Sequence, residues 1–454
     1  MSGTGRAKCA LLAGAAAALA ALAPCRLALA QEKLQATGDA TVGFSDNIES
    51  APDVPTQGSA PKYAGAFLVL RPGVVLASVS SRSIHRLKYT YSYDLLFEHV
   101  DASTSTNQLE YRGFFDLSPR AGLVTNAAVI QSNGYSSIIL TAPGAGAVDA
   151  VSAGSINFLN ASADELLSVD LAPGLRGYQG AALGEQTPLF DTVAPRTFLG
   201  SARLGGEHTF LADAIGAEAR GEYTVVEGSL APDGTALGTQ NQLVATGVAV
   251  WRHDWGRDFT SRAEAGAFRV QRLNTGRGLW GPAGRATLAY VQPFGDAELS
   301  YDHMVTTNPL IGQTLLIDQV RLRGALPLTK KRELLVAASA GYQWGQILDP
   351  TMTPADHVDA ILADVALGWQ VHDMWLLGLR YQHVQQISDV QVPPLPVSFV
   401  RNSVMATVAF RFPPEKEMPR AYRAPQRVDG ADEIRDGLEP PENRFQQPAG
   451  TTGR

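Results

Sequence analysis

The chain has 454 residues, of which 45% are hydrophobic and 18% are charged, and its formal net charge is −7. This acidic balance argues against nucleic acid as a partner, because binding to phosphates needs a basic surface. Both cysteines, Cys9 and Cys25, fall within residues 1–30, so the rest of the chain can form neither a disulfide nor a Cys-ligated metal site.

Residues 1–30 are typical of a secretory signal peptide. Arg6 and Lys8 give the positive start, an apolar run follows over 10–23, and Ala28-Leu29-Ala30 offers a cleavage site. A retained anchor helix and lipoprotein processing at Cys25 are the alternatives. Cleavage after residue 30 would also remove Arg26 and take the formal charge from −7 to −10, because three basic residues are lost.

Residues 31–412 are predicted to form one all-β domain, because apolar and polar side chains alternate along many short segments. A strand turns successive side chains to opposite faces, so each segment has one apolar face. The export signal and the aromatic residues near segment ends favour a transmembrane, up-and-down antiparallel barrel over a soluble sandwich. The clearest apolar faces are Leu87, Tyr89, Tyr91, Tyr93 and Leu95; Trp375, Leu377, Leu379 and Tyr381; and Val404, Ala406, Val408, Phe410 and Phe412.

The connections between these segments are short and long in turn. Eight short turns and nine longer loops give about eighteen strands. This even number places the N- and C-termini of the barrel domain on the same side as the short turns, which is the periplasmic side. Sixteen strands is the alternative, because 164–172 and 174–181 alternate less clearly. The longer loops are predicted at 45–62, 99–107, 133–163, 182–195, 228–239, 272–281, 307–315, 346–357 and 388–396.

Basic residues recur on the polar faces of the predicted strands. Arg321 and Arg323 stand two apart and therefore share a face. The functional interpretation is a pore lining that selects solutes by charge, and the structural one is a ladder of ion pairs in a wet interior. Glu98, Glu264 and Glu298 are candidate counter-charges. The candidate pore-lining residues are Lys88, Arg262, Arg285, Arg321, Arg323, Arg380, Arg401 and Arg411.

The loop at 133–163 is too apolar for an ordinary solvated connection. We expect it either to fold inward and narrow the channel or to cap the outer rim. The candidate constriction residues are Ile138, Leu140, Asp149, Ile156 and Phe158. Residues 413–454 are rich in proline and in charges of both signs, so they are predicted to be a disordered periplasmic tail.

No catalytic or metal-binding motif is present in the sequence. The eight histidines show no HExxH spacing, and neither a GxSxG turn nor a phosphate-binding loop occurs. We therefore expect neither enzymatic activity nor a cofactor. A lipid-modifying barrel enzyme is the weakest of the alternatives.

The layout resembles that of bacterial outer-membrane porin-like barrels. The strand Val404–Phe412, ending Phe410-x-Phe412, is similar to the aromatic-ended insertion signal of that class, and 133–163 stands where porins carry their constriction loop. The stretch 38–48 (GDATVGFSDNI) with Ala51-Pro52 is similar to the opening of outer-membrane barrels that accompany exopolysaccharide export.

This second resemblance implies a function but assigns no site residue. It implies an outer-membrane channel for secreted polysaccharide that works with periplasmic and inner-membrane export proteins, in contact with outer-membrane lipid. The alternatives are a general or solute-specific diffusion porin and a structural or adhesive surface barrel without a conducting pore.

Overall fold

The computed structural model describes residues 31–48, 51, 53, 62–98, 103–133, 158–189, 196–228, 238–256, 258–292, 295–308, 313–329, 333–348, 357–388 and 398–414. The predicted signal peptide at 1–30 lies outside these residues, as does the predicted tail from 415 onward. Four of the candidate constriction residues also lie outside them, namely Ile138, Leu140, Asp149 and Ile156.

The fold is a single sheet of eighteen strands joined in chain order. The strands are β1 Gln31–Ser45, β2 Gly65–Val79, β3 Ser83–Leu96, β4 Thr104–Ser118, β5 Ala121–Asn133, β6 Phe158–Ala172, β7 Leu175–Pro188, β8 Arg196–Phe210, β9 Asp213–Glu227, β10 Gln240–Asp254, β11 Phe259–Arg272, β12 Gly278–Gln292, β13 Gly295–Asn308, β14 Gln313–Pro327, β15 Leu334–Ile347, β16 His357–His372, β17 Trp375–Ser388 and β18 Phe399–Phe412.

The sheet closes on itself. Each strand pairs antiparallel with the next, and β1 pairs with β2 on one side and with β18 on the other, from Ala36↔Phe412 to Ser45↔Ser403. Closure removes the sheet edges, which is what a strand structure needs in order to stand in lipid. The prediction of an up-and-down barrel of eighteen strands is confirmed.

The two faces of the sheet differ in polarity. On β17, Leu377 and Leu379 lie on the outer face and are exposed, whereas Arg380 and Gln382 point inward. Large apolar side chains are exposed in this way around the whole outer surface. A soluble sandwich would bury that face in a core, so the apolar exterior identifies a membrane-spanning barrel with a polar interior.

Polar and aromatic side chains on the outer face bond to each other toward the loop ends of the strands. Tyr301 donates to Asp318 at 2.6 Å, and Tyr381 donates to Asn402 at 2.9 Å. Tyr342 donates in the same way to Asp359 at 3.2 Å. Such amphipathic rings anchor a barrel at the level of the lipid head groups.

Several element boundaries differ from those predicted, and the differences are largest at β4, β6, β7 and β12. β6 begins at Phe158, inside the predicted loop 133–163, because the alternation of inner and outer side chains already starts there. Phe158 is therefore a buried strand residue and not part of that loop. β7 runs on to Pro188, and β12 starts at Gly278, so the predicted loops at 182–195 and 272–281 are shorter than expected.

The two weakly patterned segments are also strands, which removes the sixteen-strand alternative. They belong to β6 and β7 and meet at a tight turn, where Gly174 adopts φ 75°. A positive φ of this size favours glycine. No helix in the described residues is long and apolar enough to cross a membrane.

We expect Leu379→Arg to destabilise the barrel by about 2–4 kcal/mol, because it puts a charge on the lipid-facing side of β17 between Trp375 and Tyr381. The matched control is Gln382→Arg, which places the same charge on the inner face beside Asp364. Urea unfolding in lipid vesicles measures both. Equal stability of the two variants would contradict the assignment of the faces.

Candidate functional site: the lumen

The inner wall of β9 to β11 carries a compact cluster of opposite charges. Arg220 bonds to both Glu218 and Glu264, with Nη2 2.8 Å from the Glu264 carboxylate. Arg262 reaches the other oxygen of Glu264, also at 2.8 Å. Glu264 lies on β11, two strands away from Arg220, and accepts bonds from both guanidinium groups. These bonds fix the positions of both arginines.

The carboxylates of this cluster are covered, and the guanidinium groups are accessible. The side chains of Glu218 and Glu264 are each only 2% exposed, against 29% for Arg220 and 19% for Arg262. Water or a solute in the lumen therefore meets mainly positive charge on this stretch of wall. The covered carboxylates lie on the side of the arginines away from the lumen and hold them in place by charge-assisted hydrogen bonds.

The polar wall continues toward β14. Arg285 lies opposite Glu264 in the β11–β12 register and bonds to Asp302 on β13. Asp302 in turn lies opposite Gln319 on β14, and Gln319 accepts a bond from Arg321 at 3.1 Å. Hydrogen-bonding side chains therefore lie on five of these six neighbouring strands, β9 and β11 to β14, while β10 contributes Val248 and Val250 to the inner face at this level.

In the other direction the wall stays polar as far as β5. Tyr178 on β7 donates to Glu218 at 2.6 Å, two strands away. Further along, Asn126 donates to Asp164 at 2.9 Å on the neighbouring strand β6. The inner face of β5 to β14 thus carries a polar belt that is interrupted at β10 by Val248 and Val250. We call it the lumen belt; it consists of Asn126, Asp164, Tyr178, Glu218, Arg220, Arg262, Glu264, Arg285, Asp302, Gln319 and Arg321.

All eight candidate pore-lining residues lie on inner faces, but they do not form one site. Arg262, Arg285 and Arg321 belong to the lumen belt, and Arg323 bonds to Glu298 at 2.6 Å beside it. Lys88 lies on β3, 3.8 Å from Glu110. Arg380 bonds to Asp364, while Arg401 and Arg411 lie on β18.

Glu218 and Arg220, at the centre of the belt, are not among the residues predicted from the sequence, whereas Glu264 is predicted as a counter-charge. Glu218, Arg220 and Glu222 alternate with small residues on β9 and carry the same period-two signal as the residues that were chosen. The pairing of Arg220 with Glu264 joins residues 44 positions apart, and no local pattern reveals it.

The two ends of the lumen differ. On the loop side, inner-face side chains are buried even when they are large: Phe158 is 0% exposed, and Phe268, Leu315 and Phe399 are 1% exposed. In a wide open tube these side chains would face water. The lumen is therefore packed on the loop side, and the accessible polar wall lies below it toward the short turns.

In the described part of the chain, no group of three or more His, Cys, Asp or Glu residues has the geometry to hold a metal ion. The chemistry that the lumen offers is charge and hydrogen bonding to a dissolved solute.

No family model matches the chain, and no curated protein matches it. Among solved structures, Pseudomonas aeruginosa OccK2 (OpdF) in complex with glucuronate is 13% identical, with a TM-score of 0.45, over 84% of this chain and 98% of that one. A BenF-like porin from Pseudomonas fluorescens Pf-5 is 8% identical, with a TM-score of 0.44, over 84% and 99%. The ferric-catecholate import receptor Fiu of E. coli K12 is 10% identical, with a TM-score of 0.41, over 83% and 81%.

These likenesses are too distant to transfer a function. The class follows from the geometry itself, because a closed, even-stranded antiparallel barrel with a lipid-facing exterior and a polar lumen is the architecture of porin-like outer-membrane barrels.

We expect Glu264→Gln to increase the anion selectivity of any current through the barrel, because Arg220 and Arg262 lose a shared counter-charge. The shift of the reversal potential in a salt gradient measures it. Glu227→Gln is the control, since Glu227 pairs with Arg196 on the outer face, at the loop end of β9. An equal shift in both variants would show that the effect is not local to the lumen.

Proposed function

We propose that the protein is a passive outer-membrane channel for small water-soluble solutes, with a preference for anions. The observation that carries the proposal is the lumen belt, in which accessible guanidinium groups stand in front of covered carboxylates. Ion pairs with covered carboxylates add little net stability, because the loss of water from the charges offsets their attraction. A row of them across many strands is therefore better explained by a wet passage than by a need for stability.

A small solute fits the geometry better than a polymer does. The buried inner-face side chains on the loop side, Phe158 and Phe399 among them, leave little room for a chain of sugars. Polysaccharide export, and the periplasmic export partners that it would require, rest on the resemblance of the first hairpin alone and gain no support from the described residues. A diffusion channel is therefore the function that we favour.

The placement in the outer membrane follows from the same physics. An open aqueous barrel would dissipate ion gradients across an energised inner membrane, whereas the outer membrane holds such barrels routinely. The proposal includes contact with outer-membrane lipid and a periplasmic location of the short turns and both chain ends. The eight basic residues named from the sequence are proposed to line the passage.

We expect vesicles that contain the mature protein to swell in a small sugar acid faster than in its neutral parent sugar, and not at all in a dextran. Replacing Arg262 and Arg285 together by glutamine should lower the preference for the acid by about fivefold for each 1 kcal/mol of lost attraction. The control is Arg196→Gln, which removes an arginine that pairs with Glu185 and Glu227 on the outer face.

Passage of dextran would instead favour the polymer channel. Absence of both swelling and current would favour a structural or adhesive barrel.

A further inference from the structure

One junction of the barrel wall is incomplete. In the described residues, the pairing of β12 with β13 runs from Gln292↔Gly295 up to Gly284↔His303 and ends there. Above this level β12 still pairs with β11 as far as Gly278, and β13 still pairs with β14 as far as Asn308. On the loop side, among these described residues, β12 therefore pairs only with β11, and β13 pairs only with β14.

The sequence of β12 accounts for this gap. Pro282 lies in the part of β12 that is separated from β13, and Gly281 precedes it. Proline has no N–H for a ladder and is found in sheets at edges. A Cβ on Gly281 would come within 2.4 Å of Phe268 Cζ, so glycine is needed there for the close approach of the Phe268 ring.

The loop-side end of the β13–β14 hairpin lies inside the barrel. Val305 and Leu316 face each other on these strands and, by the alternation of side chains, belong to the outer face. Both nevertheless pack against an apolar cluster on the inner faces of β10 to β12, formed by Val244, Val248, Val250, Phe268, Val270 and Ala283. An outer face can contact an inner face only if this part of the wall has folded inward.

Two polar contacts support the same placement. Thr314 Oγ1 donates to Gln242 Oε1 at 2.7 Å, in a buried contact between β14 and β10, four strands apart in the sheet. Arg272 Nη2 donates to the carbonyl oxygen of Leu348 at 3.3 Å, and the Leu348 amide donates to Thr314 O at 2.8 Å. Leu348 also packs against the apolar cluster.

We call residues 304–306 and 314–317 the inner flap. Its lumen-facing side is covered as well, because Thr306, Leu315 and Ile317 are all buried. The inner flap thus occupies the interior of the barrel on the loop side, directly above Arg285 and Asp302 of the lumen belt.

We infer that the inner flap sets the size limit of the channel and that it widens the passage by moving back into the wall. This inference rests on the proposed channel function. The return needs no change of secondary structure, because residues 279–283 of β12 and 304–308 of β13 are already extended, and continuing the register beyond Gly284↔His303 would bring them opposite each other. Backbone hydrogen bonds between β12 and β13, at positions other than Pro282, would replace the contacts that the flap gives up.

A reversible cross-link tests the inference. Gln242→Cys with Thr314→Cys replaces two side chains that are in contact, and the mature chain would hold no other cysteine. The matched control is Thr41→Cys with Thr407→Cys, an inner-face pair of β1 and β18 whose Oγ1 atoms are 2.8 Å apart. A short bis-methanethiosulfonate reagent bridges nearby thiols and is removed by reduction. We expect it to cross-link both pairs, and only the first cross-link to lower conductance and the largest solute admitted, with recovery on reduction.

A second variant loosens the flap without a cross-link. Val244→Ser with Val270→Ser weakens the apolar cluster on which the flap packs, at positions that face the lumen whether or not the flap is in the wall, and should raise both conductance and the size of the largest solute that passes. Failure of the reagent to cross-link the β10–β14 pair, or a cross-link there that leaves conductance and size limit unchanged, would overturn the inference. If wild type and the β1–β18 control conduct nothing, the proposed function itself is wrong, while the yield of cross-linked chain on a gel still reports where the flap lies.

Discussion

The structure depends on the need to give every backbone N–H and C=O group a partner where no water is available. In lipid an unpaired group costs several kcal/mol, so a sheet can stand there only if it has no edge. The ladder between β1 and β18 removes that edge. Once the sheet is closed, the period of two along each strand divides all side chains into a lipid face and a lumen face. The apolar exterior and the polar interior are therefore consequences of one constraint.

The charges inside the barrel follow a second rule. A buried carboxylate is tolerated only when strong hydrogen bonds compensate for the water that it has lost. Glu264 meets this condition with two arginines, and the arginines stay partly hydrated because the lumen is wet on that side. The result is a wall with fixed guanidinium groups. Their value lies in position and not in stability, since a well-packed apolar wall would hold the barrel equally well.

Much of the fold could be predicted from the sequence, because strand alternation and turn residues are local signals. These two signals are enough to predict the number of strands and to predict that Leu379 lies on the outer face and Arg380 on the inner face. The start of β6 was misjudged because an apolar loop that runs into a strand changes neither hydrophobicity nor period at Phe158. The candidate site was predicted less well: the inward facing of Arg285 is local, but its partner Asp302 and the Arg220–Glu264 pair depend on strand register.

The position of the inner flap could not be predicted from local sequence patterns. Pro282 marks an interruption in β12, yet nothing near it in the chain indicates that β13 and β14 bend inward. That arrangement depends on the contact between Gln242 and Thr314, which are 72 positions apart. It also agrees with the first constraint, because unpaired backbone at membrane depth is tolerated where it is covered by protein or lines a water-filled cavity. Within the part of the chain that the structure describes, the loop-side parts of β12 and β13 do not pair with each other, and the flap packs on the cluster that includes Ala283 of β12, so protein covers backbone that the ladder leaves without a partner.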